Sequence, residues 1–214
     1  MSYYTVLKEA KAEFEEKKSL FIGHVKRVYN EEEARNFINQ IRNQHKQATH
    51  NVYAYIIGES KGIQRYSDDG EPQGTAGIPV LEVIKKSDIT DVVVVVTRYF
   101  GGILLGAGGL VRAYSKGASI GIKEAGVVEK VMGCPVEILI DYDLLGKVQY
   151  ICSQNLWYID QIEYTDKVRL HMSNEVEKIE QIKLEITDAT SGKAIIDSGR
   201  PDYYFKLENK LFKE

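Results

Sequence analysis

The sequence predicts two α+β domains, an amino-terminal one over residues 1–134 and a carboxy-terminal one over residues 135–214. Three observations lead there. Most of the 18 glycines lie between Gly58 and Gly133. Residues 1–134 hold 18 Lys and Arg against 16 Asp and Glu, whereas residues 135–214 hold 10 against 15. "MGCPVEI", Met132 to Ile138, sets a Gly and a Pro where the pattern changes, as a domain boundary does. A chain of 214 residues is long enough for two such units, each with its own core.

The elements of the first half follow from local pattern. "YYTVLKEAKAEFEEKKSLFIGHVKRV" reads as a long hairpin. Asn30 with Glu33 three residues on is a capping signature, and Ala34, Phe37, Ile38 and Ile41 supply the apolar stripe of the helix that follows. "NVYAYIIGE" and "GIQRYSD" form a second hairpin. Residues 75–87, with Ile78, Leu81 and Ile84, read as a short helix. "DVVVVVTRYF" is the central, fully buried strand, far too short to span a bilayer. A helix runs from about Gly108 or Gly109 to Gly126. It has an apolar stripe (Leu110, Tyr114, Ala118, Ile122) and a small-residue stripe (Ala113, Gly117, Gly121). Its third face carries Arg112, Lys116, Ser119 and Lys123.

The second half reads βαββαβ. "PVEILIDYD" alternates as a strand. Asp143 caps a helix whose Leu144, Leu145, Val148, Ile151 and Cys152 share a face. "LWYIDQIEY" and "KVRLHM" are strands turned at Thr165 and Asp166. Ser173 or Asn174 caps a helix bearing Val176, Ile179, Ile182 and Ile186, which Gly192 ends, and "AIIDSGRPDYYFKL" is one last strand. That order is the ferredoxin-like, split βαβ sandwich, a fold that hosts many functions and names none.

Composition excludes some functions. A net charge of −3 rules out general attraction to polyanions, so any nucleic-acid site must be a local patch. Two cysteines, Cys134 and Cys152, make no disulfide framework and suit a reducing compartment. The opening "MSYYTVLKEAKAEFEEKK" has no apolar stretch of the signal-peptide kind, and a cytoplasmic location is expected. Histidines 24, 45, 50 and 171 show no zinc spacing. No catalytic residue, metal or cofactor is assigned.

Two stretches carry the candidate chemistry. In "TRYFGGILLGAGGLVRAYSKG", a strand, a glycine-rich turn and a helix follow one another, the layout that holds phosphate on backbone N–H groups. Arg98, Gly101, Gly102, Gly108, Gly109, Arg112 and Lys116 are the candidate anion- or nucleic-acid-binding residues. The alternative is that the glycines allow tight strand-to-helix packing and the charges are a solvated face. Nucleotide motifs fit badly: "GAGGLV" has Val111 where the dinucleotide fingerprint needs a third Gly or Ala, and no Lys-Ser/Thr pair closes a Walker loop. In "YSDDGEPQGTAG", Asp68, Asp69 and Glu71 offer oxygen ligands to a hard cation. The same residues satisfy turn chemistry: Asp accepts local N–H groups, Gly70 takes positive φ and Pro72 fixes φ. With His50 of "KQATHNVYAY", they are read as a partner-binding loop beside the basic helix.

"ATHNVYAY", "SDDGEPQGTAG" and "VVVTRYFGGILLGAGGLVRAYSKGA" resemble the three signature segments of the IMPACT/YigZ family, in order. The second half resembles the extra carboxy-terminal domain of bacterial members. The resemblance implies a first domain with the left-handed βαβ topology of elongation factor G domain IV, and a second like its domain V. It also implies a role in translation: eukaryotic members regulate it by binding protein, and RNA or ribosome binding is inferred for bacterial ones. The function read here is a non-enzymatic, RNA- or ribosome-associated regulator of translation, with a protein partner in translation control as a further expectation and no membrane partner. Two alternatives remain open: a cation-dependent enzyme acting on a phosphorylated small molecule, and a protein-binding module without nucleic acid.

Overall fold

The computed structural model describes residues 2–213. Its contacts divide the chain into two compact units, one of them Tyr3–Val128 and the other running from Glu129. No helix among the described residues is long and apolar enough to cross a membrane.

The first unit is built on a five-stranded antiparallel sheet. Its strands are β2 (Ala10–Glu16), β3 (Ser19–Arg27), β4 (His50–Ile57), β5 (Ile63–Ser67) and β6 (Val92–Tyr99), in the order β2-β3-β6-β4-β5. The opening segment is not part of one long hairpin. It forms a separate strand, β1 (Ser2–Val6), whose Tyr4 bridges Ile89, and only β2 and β3 make the hairpin.

The central strand shows why five valines stand in a row. Val92 to Val96 are all fully buried because helices cover both faces. Val92, Val94 and Val96 pack against α2 (Gly77–Lys86) and α3 (Ala107–Ala125), while Val93 and Val95 pack against α1 (Glu31–Gln44). The Asn30 cap forms as the sequence predicts. Asn30 Oδ1 accepts the Glu33 N–H at 2.8 Å, and Glu33 Oε2 reaches back to the Tyr29 N–H at 2.9 Å.

Glycine lets α3 lie close on the sheet. A β-carbon on Gly23 of β3 would fall 2.1 Å from the Gly117 carbonyl oxygen, and one on Gly117 would fall 2.8 Å from a Val96 methyl. The small-residue stripe is therefore a packing device. The basic residues Arg112, Lys116 and Lys123 stay exposed on the opposite side.

The second unit follows the βαββαβ order. Strand β7 (Val127–Ile140) leads to α4 (Leu145–Gln154), β8 (Ile159–Tyr164), β9 (Val168–Glu175), α5 (Ile179–Ala189) and β10 (Ile195–Ser198). The pairs β10–β7, β7–β9 and β9–β8 are all antiparallel, the sheet order of a split βαβ unit. Ile138, Ile140, Leu170, Ile182 and Ile186 are fully buried in its core.

Four local expectations are corrected here. The chain passes between units inside β7, at Val128–Glu129 and not at Cys134, so "MGCPVEI" is strand and no linker. Asp143 caps nothing: it sits within a 3-10 turn, Tyr142–Leu144, that leads into α4. Ser173 and Asn174 continue β9, and α5 opens from another 3-10 turn without a side-chain cap. The last strand is broken in two, β10 and β11 (Asp202–Leu207), with a short β12 (Lys210–Phe212) paired to β11.

The break and Pro135 explain each other. On one edge of β7, β11 pairs Glu129–Gly133 and β10 pairs Val136–Leu139. Pro135 falls between them, where a missing N–H leaves no ladder bond unmade. Its carbonyl accepts the Gly199 N–H at 2.9 Å, and a β-carbon on Gly199 would fall 2.7 Å from Pro135 Cγ.

Candidate functional site

Three segments meet at one end of the first unit: the acidic loop, the ends of β4 and β6, and the start of α3. Sheet register brings the first two together, because His50 lies opposite Arg98 across the β4–β6 pair. The loop is held by its own carboxylates. Asp68 Oδ1 accepts the Ala76 and Gly77 N–H groups at 3.1 and 2.8 Å, and Oδ2 accepts Gly74 N–H at 2.9 Å. It thus satisfies donors at the start of α2 that no N-cap side chain serves. Asp69 Oδ2 accepts the Asn51 N–H at 2.7 Å and Oδ1 accepts Arg42 Nη2 at 2.6 Å. Asp69 and Gly70 both take positive φ, which a short polar side chain and a glycine tolerate.

Glu71 turns inward. Its Oε1 accepts Arg98 Nη1 at 2.6 Å and the Tyr114 hydroxyl at 2.6 Å, and all three side chains are buried. Burial first, and then the bond to Glu71, pushes the Tyr114 phenol well above its ordinary pKa, so it remains a donor. The Arg98 guanidinium also lies against the rings of Phe21 and Phe100, 5.5 and 5.4 Å from their centroids. His50 completes the group. Its Nδ1 is 2.8 Å from the Asp69 carbonyl oxygen, which can only accept. Nδ1 therefore carries the hydrogen, and in the neutral ring Nε2, 3.8 Å from Glu71 Oε1, is left as an acceptor.

The three carboxylates thus point to three different sets of partners inside the protein and do not converge. Among the described residues no group of three His, Cys, Asp or Glu side chains stands close enough to hold a metal ion.

Two concavities adjoin at Leu105. The larger, a cleft of about 390 Å³, is lined by Thr49, His50, Glu71, Pro72, Arg98, Phe100 and the segment Leu104–Ala107, with Leu110. The smaller, about 250 Å³, is lined by Phe14, Glu16, Lys17, Gly109, Arg112 and Lys116. Lys116 Nζ rests 4.2 Å over the Phe14 ring.

The expected anion-binding residues therefore divide. Arg112 and Lys116 are exposed in the smaller groove. Arg98 is only 5% exposed and holds Glu71, so it is not part of the basic face. Gly101 is required for closeness, since a β-carbon there would fall 1.9 Å from the Lys18 carbonyl oxygen. Gly102 has a φ of +85° and caps nothing, whereas Gly106, with a φ of +69°, is the residue at which α3 begins. Gly108 is exposed in the first turn, and Gly109 is buried against Leu105. His50, Asp68, Asp69 and Glu71 build the loop from within, and Gly70, Pro72 and Gln73 form its exposed edge.

Sequence reasoning missed Tyr114, read only as part of an apolar stripe. Its hydroxyl was the signal, because a buried phenol needs a partner. The roles of Phe100, Leu104 and Gly106 in the cleft depend on tertiary placement.

The site lies wholly within a region that matches a family model. Residues 17–122 match the Impact N-terminal domain, and residues 138–193 match a domain of unknown function, DUF1949. The chain is 43% identical to the IMPACT family member YvyE of Bacillus subtilis, over 98% of this chain and 97% of that protein. The chain belongs to the IMPACT family. Another member, YigZ of Escherichia coli, is 32% identical over 82% of this chain and 87% of its own. A solved structure described as a hypothetical protein superposes with a TM-score of 0.59 at 29% identity, covering 91% of this chain and 96% of that one. Both family models fall inside the two compact units, so the family's two-part organisation matches the division by contacts.

Proposed function

We propose that this IMPACT family protein is a non-enzymatic regulator of translation that contacts RNA, alone or on the ribosome, through the exposed face of α3. One observation carries the reading. Arg112, Lys116 and Lys123 are exposed on one side of a single helix, and none of them forms an ion pair among the described residues. Lys17 stands across the groove from Arg112 and Lys116. Such a cluster supplies the local phosphate contacts that a chain of net charge −3 cannot supply as a whole. The uncapped amino terminus of α3 adds positive potential at the same end. The family's place in translation control supports the reading, as does the likeness of its domains to domains IV and V of elongation factor G. A cytoplasmic location belongs to the same proposal.

A protein partner is the second reading, favoured by the exposed apolar side chains of Phe100, Ile103 and Leu104 beside the basic face. A cation-dependent enzyme is favoured least, since Asp68, Asp69 and Glu71 are each committed to internal partners. Crosslinking in cells, with identification of both RNA and protein partners, tests the choice. Recovery of ribosomal or other RNA crosslinked to peptides of α3 is the expected result. Recovery of protein alone would replace the first reading with the second.

A further inference from the structure

The cleft beside the basic face has a different character, and the RNA reading does not use it. Its walls are apolar, formed by Phe100, Leu104, Leu105 and Leu110, and its polar groups gather at His50 and Arg98. A volume of about 390 Å³ is that of a small-ligand site with a few oriented polar groups. Two independent observations say what kind of group it takes. Helix α3, 19 residues long, begins at Gly106 in the cleft wall with no side chain capping its first N–H groups. Arg98, nine-tenths buried in the same wall, gives only Nη1 to Glu71, and its Nε has no hydrogen-bond partner. Both features favour an acceptor carrying negative charge.

Charge sets the size of that anion. Arg98 contributes one positive charge and the adjacent Glu71 one negative, so only the helix terminus and a protonated His50 remain to offset a ligand. A dianionic phosphate would face Glu71 with little to balance it, whereas a carboxylate would not. We propose that this cleft binds the carboxylate of an apolar chain, with the carboxylate at the α3 terminus and Arg98 and the apolar part against Phe100, Leu104 and Leu110. That chemistry is shared by a peptide's carboxy terminus and a free aliphatic acid.

The test is amide NMR of the full chain, titrated with N-acetyl-leucyl-leucine, its carboxy-terminal amide, hexanoate and inorganic phosphate. The free-acid dipeptide should shift the Ala107 and Gly108 amides, and its amide should bind about tenfold more weakly. Hexanoate binding as tightly as the dipeptide would identify a free acid as the source. Tighter binding of the dipeptide would identify a chain terminus. Because Arg98 supports the fold, two other variants report on the site. Ala107→Pro removes one N–H at the first helical position, where proline is tolerated. Leu104→Asp charges an 81% exposed wall residue without touching the core. Each should weaken the free acid about fivefold or more. Equal binding of acid and amide, displacement by phosphate at equal concentration, titrations unchanged in both variants, or no shift up to about 10 mM would each overturn the proposal.

Discussion

At the scale of single residues, Glu71 is the keystone of the site because one carboxylate oxygen satisfies two buried donors, Arg98 and Tyr114. Truncating it in Glu71→Ala leaves an unpaired buried guanidinium and phenol, which should cost about 3–5 kcal/mol in urea denaturation. Replacing both charges, in Glu71→Leu with Arg98→Met, should recover much of that loss; a double variant as unstable as the single one would contradict the pairing. His24 makes a second prediction. Burial first, then His45 and Lys11 nearby, lowers its pKa from 6.5 to about 4, and its Nε2 is buried without a partner. Above pH 6.5 the ring is neutral folded or unfolded. As pH falls from 6.5 towards 4, the unfolded chain binds a proton that the folded chain refuses, so stability declines, by up to about 3 kcal/mol. Urea midpoints at pH 7 and pH 4.5 should converge more in His24→Leu than in the parent protein, and a parallel decline in both would contradict the assignment. Arg98 shows the limit of reading residues one at a time. Its sequence position before a glycine turn suggested a phosphate contact, whereas its partner Glu71 lies in a separate segment and only the β4–β6 register brings the two loops together.

At the scale of elements, most of the fold was legible because periodicity reports burial directly. The stripes of α1, α3 and α5 and the valine run of β6 are buried as their spacing requires. The stripe on α3 also separated the packing face from the basic one. What could not be read was how elements end. Asp143 and Ser173 have the side chains of helix caps, but 3-10 turns intervene before α4 and α5 and satisfy the first turns differently. The split of the last strand was equally hidden, since it depends on Pro135 in a distant strand. Close packing of α3 gives a third prediction. Gly23→Ala places a β-carbon against the Gly117 backbone, which no rotamer change relieves, and should destabilise the protein by about 3 kcal/mol or more. Thermal or urea unfolding checks it. By contrast, Gly108→Ala, on the exposed first turn of α3, should stabilise slightly, by a few tenths of a kcal/mol up to about 1 kcal/mol.

At the scale of the whole molecule, the chain divides at Val128–Glu129, so a fragment beginning at Val127 should fold alone and give a dispersed amide spectrum. A fragment beginning at Val136 removes the Glu129–Gly133 segment that β11 pairs with, and its β11 and β12 amides should lose dispersion. Equal spectra from the two fragments would show that the boundary at β7 is misplaced. The charge contrast between the halves was visible in composition and is what directs attention to the first unit. The proposed RNA contact then rests on three exposed cations of one helix and makes a quantitative demand. Binding to purified ribosomes or bulk RNA should weaken with salt. Arg112→Ala and Lys116→Ala should each reduce the slope of log affinity against log salt by about one. Glu16→Gln, which removes a negative charge from the same groove, should leave the fold intact and strengthen binding. The salt titration of these three variants beside the parent protein is the most direct test. Slopes reduced in the two basic variants support the assignment of α3 as the RNA-contacting face, and slopes unchanged in both would contradict it.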